Sequence, residues 1–141
     1  MYTINPARNL KNIEEREYGA AAEIAFSTFT SCIGVISVVP GNKVIGVHLV
    51  LFSDKDEMVI PEDITRVIKI LESQKYEKSK AMVVGQVDVW NGSAPTALQR
   101  LLDSLGLTKK HARVCDQYVD GWVTAKYSGG TVGLSFRVGS K

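Results

Sequence analysis

A cysteine and a histidine lie in two adjacent apolar segments in the N-terminal half of the chain. Cys32 belongs to residues 27–39 and His48 to residues 44–52, and both segments are rich in the β-branched residues typical of strands. The sequence Pro-Gly-Asn at 40–42 is a strong turn signal, so the pattern predicts a β-hairpin. A thiol and an imidazole on neighbouring strands are the two groups that a cysteine nucleophile and its general base require.

The hairpin register decides whether these two side chains meet. If the loop is the three residues 40–42, Val39 pairs with Lys43 and Gly34 lies opposite His48. Cys32 and His48 then share one face, with Cα atoms about 7–8 Å apart on the diagonal. A loop of two or four residues places them on opposite faces, and a bulge changes the count.

Two interpretations of Cys32 are open at this point. Its neighbours are small or polar, namely Ser27, Thr28, Thr30, Ser31 and Gly34, which is unusual for a structural cysteine in a strand. Free cysteine is nevertheless among the most buried residue types, so an inert core role is the plain alternative.

His48 lies in the most apolar part of the chain, where a lone histidine is more often a hydrogen-bonded core residue than a base. Its role as a base therefore depends on Cys32. Ser27, Thr28 or Thr30 could orient the imidazole as a third member of the arrangement. Gln86 and Asp88 are weaker alternatives.

The other cysteine and histidine, Cys115 and His111, are weaker candidates for a catalytic pair. Residues i and i+4 of a strand share a face but lie about 13 Å apart, so structural roles are expected. The short spacings of structural zinc sites are absent. The sequence also lacks the common nucleotide-binding, zinc-protease and serine-hydrolase motifs, so it implies no cofactor and no metal.

The 141 residues are enough for one domain. We predict a polar, partly disordered segment at 1–17 and a single catalytic domain at 18–141. Residues 18–26 could be a short helix or a strand. Pro61 opens a helix whose apolar face is Ile64, Val67, Ile68 and Leu71.

The rest of the chain predicts a strand, a helix and a β-meander. The strand is Ala81–Trp90, followed by a turn at 91–93 in which Ser93 could cap the next helix. That helix is Ala94–Leu105, ended by Gly106, and the last three strands are 112–119, 122–127 and 131–138, with turns at 120–121 and 128–130. The fold class is α+β: a layered sheet or sandwich with two amphipathic helices packed on it.

Composition limits the partners. A net charge of +2, from 17 basic and 15 acidic residues, gives no basic stripe for nucleic acid. Two cysteines do not make a disulfide framework, which favours a reducing compartment. No Sec-type signal is visible, and the uncharged run Ile24–Asn42 favours a hairpin over a membrane helix. The expected location is the cytoplasm, or the cytosol of a target cell after export by another route.

The hairpin also resembles a known family. The stretch TSCIGVISVVPGNKVIGVHLVLF, residues 30–52, is similar to the Cys-His core of the CheD-type chemoreceptor glutamine deamidases and of the necrotizing-factor deamidase toxins. The match consists of a small-residue motif ending in Cys32, a strand, a turn, and a glycine-led strand, 43–48, that carries His48. The chemotaxis enzymes have a threonine six residues before the cysteine; Phe26 stands there, so Ser27 or Thr28 would serve instead.

The resemblance implies a cysteine-dependent protein-glutamine deamidase, a hydrolase that is a toxin or effector rather than a chemotaxis enzyme. Cys32 would be the nucleophile, His48 the base, Ser27 or Thr28 the orienting residue, and the backbone near Ser31 and Ile33 the oxyanion site. The partner would be a protein that carries a reactive glutamine, with no nucleic acid and no membrane. Transglutamination and proteolysis use similar chemistry, and a non-catalytic protein-binding module on the same fold is the alternative of a different class.

Overall fold

The protein has an α+β fold in which three helices pack with two β-sheets. A computed structural model describes residues 2–116 and 121–138. The strands are β1 Asn5–Pro6, β2 Glu17–Ala21, β3 Glu23–Ala25, β4 Ile33–Val39, β5 Lys43–Leu49, β6 Met82–Gly85, β7 Val114–Asp116, β8 Gly121–Ser128 and β9 Thr131–Val138. The helices are α1 Pro61–Ser73, α2 Val87–Ser93 and α3 Pro95–Leu105, with a 3-10 turn at Lys78–Lys80.

The predicted hairpin forms the centre of the larger sheet. That sheet has the order β1-β2-β5-β4-β6-β7, and the smaller sheet has the order β3-β8-β9. Val39 pairs with Lys43 and Gly34 lies opposite His48, which is the register of a three-residue loop. Asn42 takes the left-handed conformation, with φ of 60°, that a tight turn requires. All seven residues of β4 are buried, because strands and helices surround it.

The predicted strand 81–90 is wrong in its second half. The strand β6 ends at Gly85, whose φ of +118° breaks the extended backbone. Helix α2 follows, with Val87 and Trp90 buried one turn apart. Ser93 lies at the end of α2 rather than at a cap, and α3 begins after Ala94 without a side-chain cap.

The helices at 61 and 94 are confirmed, and the closing β-meander is not. Helix α1 begins at Pro61 and α3 ends at Gly106, which adopts the left-handed conformation. Strand β7 pairs parallel with β6 in the large sheet, so only β8 and β9 form a hairpin. The turn at 128–130 is present, whereas residues 117–120, and with them the end of one predicted strand and Asp120, lie outside the described residues.

The N-terminal segment is part of the fold. Tyr2 and Ile13 are buried, and Tyr2 Oη donates a 2.6 Å hydrogen bond to the carbonyl of Val50. The expected partial disorder is therefore not observed, because these two apolar residues are buried in the core and hold an otherwise polar stretch against the rest of the fold. The undecided segment 18–26 forms the strands β2 and β3.

None of the helices in the described ranges is long and apolar enough to cross a lipid bilayer.

Gly46 permits the two sheets to approach each other, and its replacement should destabilise the protein. A Cβ at this position would lie 2.5 Å from Ile24 Cδ1 and 2.5 Å from Phe26 Cζ. We expect Gly46→Ala to lower the free energy of unfolding by about 1–3 kcal/mol, the usual cost of overpacking, as measured by urea denaturation. Gly92→Ala is the matched control, because nothing lies within 4 Å of its added methyl group; an equal loss in both variants would contradict the packing argument.

Candidate active site

His48 is held in the orientation and tautomer of a general base. Its Nδ1 lies 2.9 Å from the main-chain oxygen of Ile13 and 3.4 Å from Ser27 Oγ. A carbonyl oxygen only accepts hydrogen bonds, so Nδ1 carries the proton and donates it to Ile13. The lone pair is consequently on Nε2, the nitrogen that remains free to take a proton.

The Nε2 atom is buried and has no hydrogen-bond partner among the described residues. The rings of Phe26 and Phe29 meet the imidazole edge-to-face, with centroids 5.7 and 4.9 Å away. Burial lowers the pKa of His48 below its ordinary value of 6.5, opposed by the hydrogen bond to Ile13. The imidazole is therefore neutral at physiological pH, and an orphaned buried acceptor of this kind is often found at a functional site.

Cys32 directly precedes β4, and hydrogen bonds from Gln86 and Trp90 hold the backbone around it. The Cys32 carbonyl accepts a 2.9 Å hydrogen bond from the Gln86 amide. Trp90 Nε1 donates to the carbonyl of Ser31 at 3.0 Å. These two bonds attach the backbone around the cysteine to the start of α2, so that the position of Cys32 depends on the strand-to-helix turn that follows β6.

The thiol of Cys32 contacts a carboxylate rather than the imidazole. Cys32 is fully buried, and its Sγ donates to Glu15 Oε2 at 3.7 Å. The hydrogen bond to His48 that the sequence leads one to expect is not formed, since Nε2 has no partner in the described structure. The Glu15 carboxylate acts electrostatically on both groups, so the thiol and the imidazole share one electrostatic neighbourhood.

The electrostatics around Cys32 favour the thiol over the thiolate. Burial, followed by the negative charge of Glu15, raises the pKa of the Cys32 thiol to about 11, against the opposing effect of backbone hydrogen bonds from Ser31 and Thr30. His48 is neutral, so no imidazolium is present to lower this pKa. Cys32 is therefore a thiol and not a thiolate at neutral pH.

Three of the other predicted site residues, Ser27, Thr28 and Ser31, line two neighbouring cavities. Ser27 and Thr28 line a cavity of about 500 Å³, together with Arg8, Glu14, Glu15, Arg16 and Glu17. Ser31 lines a cavity of about 320 Å³, together with Glu15, Arg16, Val50, Leu51, Phe52, Ser53, Asp54 and Asp56. Glu15 and Arg16 belong to both walls and separate the two cavities.

Of the predicted orienting residues, only Ser27 reaches the imidazole. Thr28 makes no hydrogen bond to His48 among the bonds of the described structure. Ile33 pairs with Leu49 on one side and Gly85 on the other, so its N–H lies in the plane of the sheet. The backbone of Ser31 and Thr30, which points toward the sulfur, is better placed to stabilise negative charge.

The alternative orienting residues, Gln86 and Asp88, and the second pair, His111 and Cys115, make other contacts or lie outside the site. Gln86 is buried and contacts Cys32 through its main chain, and Asp88 is exposed at the start of α2. His111 Nδ1 accepts from the amide of Arg113 at 3.1 Å. Cys115 is half-buried, and its nearest acceptor is the Ala112 carbonyl at 4.0 Å.

Sequence reasoning missed Ile13 and Glu15. The contribution of Ile13 is a main-chain carbonyl, for which no side-chain pattern exists. Glu15 lies in the charged run at 14–17, which has the composition of a solvated segment. The unusual φ of +59° at Arg16 turns this run, and the Arg16 amide donates to the His48 carbonyl at 2.8 Å.

Comparison with known proteins does not assign a function to this chain. No protein-family model matches the chain, and no curated protein sequence matches it. The geometry around Cys32 and His48 is therefore what supports a function.

Removal of the Glu15 charge should make Cys32 more reactive. We expect Glu15→Gln to increase the rate of alkylation by iodoacetamide at pH 8 several-fold, because the carboxylate is a cause of the raised pKa of Cys32 and the thiolate is the reacting form. The rate is measured by mass spectrometry of the labelled peptide, with Cys115 as the internal reference. Glu14→Gln is the matched control in the same loop, and an unchanged Cys32 rate in Glu15→Gln would contradict the assigned contact.

Proposed function

We propose that the protein is a protein-glutamine deamidase that converts a glutamine side chain of a target protein to glutamate. The observation that supports this most is His48: Nδ1 is bound to the Ile13 carbonyl at 2.9 Å, and Nε2 is buried without a partner. Most buried polar atoms have a hydrogen-bond partner, so a buried ring nitrogen without one calls for an explanation. Cys32 directly precedes β4, the strand that pairs with the His48 strand, and an oriented, neutral imidazole in this position supports the roles of base and nucleophile.

In the proposed reaction, Nε2 of His48 takes the proton of the Cys32 thiol as the sulfur attacks the glutamine Cδ. The tetrahedral intermediate carries its negative charge on the former amide oxygen, near the backbone of Thr30 and Ser31. His48 returns the proton to the amide nitrogen, the C–N bond breaks and ammonia leaves. Water then attacks the thioester with His48 as the base, which releases glutamate and the thiol.

The contact between Cys32 and Glu15 must break before attack. At 3.7 Å it is long for a hydrogen bond, and Glu15 lies on an exposed loop, so a bound substrate can displace it at small cost. Because His48 is neutral and the pKa of Cys32 is raised to about 11, we propose that proton transfer accompanies attack. This differs from a preformed thiolate–imidazolium pair.

The alternative is a non-catalytic protein-binding module on the same fold. The complete burial of Cys32, its raised pKa and its hydrogen bond to Glu15 instead of His48 favour this alternative. On either hypothesis, the partner is a protein in a reducing compartment, the cytosol of the producing cell or of a cell into which the protein is delivered.

A covalent probe separates the two functions without knowledge of the natural target. A short peptide that carries a diazoketone in place of the glutamine amide should label Cys32 and leave Cys115 unlabelled, because only an attacking nucleophile is trapped by the substrate-like ketone. Glutamine peptides should gain about one dalton on incubation with the protein, the mass difference between an amide and an acid. Equal labelling of both cysteines by the probe would favour the binding module.

A further inference from the structure

One surface beside Ser31, the residue before Cys32, combines exposed apolar side chains with carboxylates. The cavity lined by Ser31 and Glu15 extends to the loop after β5, where it meets Phe52, Asp54 and Asp56. Phe52 is 44% exposed, and Met58 and Ile60, on the returning side of the same loop, are 39% and 49% exposed. We call Phe52, Asp54, Asp56, Met58 and Ile60 the docking surface.

The loop that carries this surface is fixed by its own hydrogen bonds. The Ser53 amide donates to the carbonyl of Glu57 at 2.8 Å, and Ser53 Oγ accepts from the amides of Lys55 and Glu57. Phe52 and Met58 form an isolated antiparallel bridge. The loop is therefore preorganised, which reduces the entropy lost when it binds a partner.

The aspartates on this surface form no ion pairs among the described residues. Neither Asp54 nor Asp56 forms an ion pair with any residue of the described ranges. Arg16 is the basic residue in the cavity wall, and its Nη1 donates to the carbonyl of Phe52 at 3.1 Å. With Glu15, three carboxylates line the cavity against one guanidinium, so the local charge is negative although the whole chain carries +2.

We propose that the docking surface binds a segment of the target protein in which the reactive glutamine is flanked by apolar and basic residues. This rests on the proposed function, because the docked protein is taken to be the substrate. The apolar residue covers Phe52 and Ile60, and a lysine or arginine pairs with Asp54 and Asp56. The glutamine then enters the cavity beside Ser31, next to Cys32.

The basic residue has a second consequence for the chemistry. Negative charge from Glu15 opposes formation of negative charge on the sulfur. A cation placed among the same carboxylates offsets this opposition, since charges a few ångströms apart interact strongly where water is partly excluded. The substrate thus adds a positive charge to that of Arg16 in a cavity where carboxylates are in excess.

Two matched peptides test the proposal. Each has seven residues, with a central glutamine between two leucines; one carries two lysines outside the leucines and the other carries two glutamates. Binding is measured by fluorescence anisotropy to the Cys32→Ala variant, which prevents turnover. We expect the lysine peptide to bind about tenfold more tightly at low salt, and the difference to shrink in 1 M NaCl, where the screening length is about 3 Å.

Variants of the protein test whether the docking surface causes the preference for the lysine peptide. Asp54→Asn with Asp56→Asn should weaken binding of the lysine peptide about fivefold, as expected for two exposed pairs. Glu72→Gln with Glu77→Gln makes the same change in net charge, and Glu77 lies beside Val38, at the end of β4 away from Cys32. Ile60→Ser should weaken the binding of both peptides equally.

Three outcomes separate this proposal from the proposed function. Equal or tighter binding of the glutamate peptide, or an equal loss in the control variant, would overturn the docking surface. Because the chain is net positive, long-range attraction alone favours the glutamate peptide, so a lysine preference supports local pairing. Preferential binding of the lysine peptide without a mass gain in wild-type protein would retain the surface and overturn the deamidase.

Discussion

Alanine at Cys32 or at His48 is expected to reduce deamidation about 10³-fold or more, and the double variant is expected to lose little further. Nucleophile and base act as one unit, so the effects of removing them are far from additive. General-base catalysis alone typically contributes about 10²–10⁴-fold. The measurement is the rate of ammonia release from a glutamine peptide by each variant.

The pH profile provides a second readout for the same pair. The neutral imidazole is the active form of His48, and its pKa lies below 6.5, so activity should be constant at neutral pH and fall only on acidification past this lowered pKa. Cys115→Ala is the matched control and should keep full activity. Additive losses in the double variant, or full activity in Cys32→Ala, would contradict the mechanism.

Gly85→Ala is expected to be the most damaging single change near the site that leaves the reacting groups intact. A Cβ at Gly85 would lie 2.6 Å from the Cys32 carbonyl oxygen and 3.1 Å from Ile33 Cα. Both atoms belong to the backbone and cannot rotate away. The φ of +118° adds strain that an L side chain rarely accepts.

We expect Gly85→Ala to lower the free energy of unfolding by about 3–5 kcal/mol, the sum of typical costs for backbone strain and overpacking. Thermal unfolding followed by circular dichroism measures the loss. Gly129→Ala is the control with a similar sign of φ, at +60°, and with nothing within 4 Å of its added Cβ. If both variants lost the same stability, positive φ alone would explain the effect, and the contact with Cys32 would not be needed.

The hairpin could be predicted from sequence because its signals are local. Apolar β-branched runs and the turn at 40–42 determine the register, in which Gly34 lies opposite His48. Helices α1 and α3 follow from spacing and from terminal Pro61 and Gly106. These features depend on neighbours within a few residues along the chain.

The other features of the fold and of the site depend on contacts between residues that are distant in sequence. Residues 87–90 have the apolar content of a strand, but Gly85 ends β6 and the buried face of Trp90 selects a helix. Tyr2 and Ile13 give no local sign that they anchor the N-terminal segment in the core. The protonation state of Cys32 depends on Glu15, seventeen positions earlier, which only the folded chain brings to the sulfur.

The hydrogen bond from His48 to the Ile13 carbonyl has a consequence for how such a site changes during evolution. A main-chain oxygen is present whichever amino acid occupies position 13, so mutation of the codon for Ile13 leaves the acceptor in place. The constraint falls instead on the path of the backbone between Ile13 and Arg16. Lineages that share this site should therefore retain the length of this segment, and insertions or deletions there would mark the loss of activity.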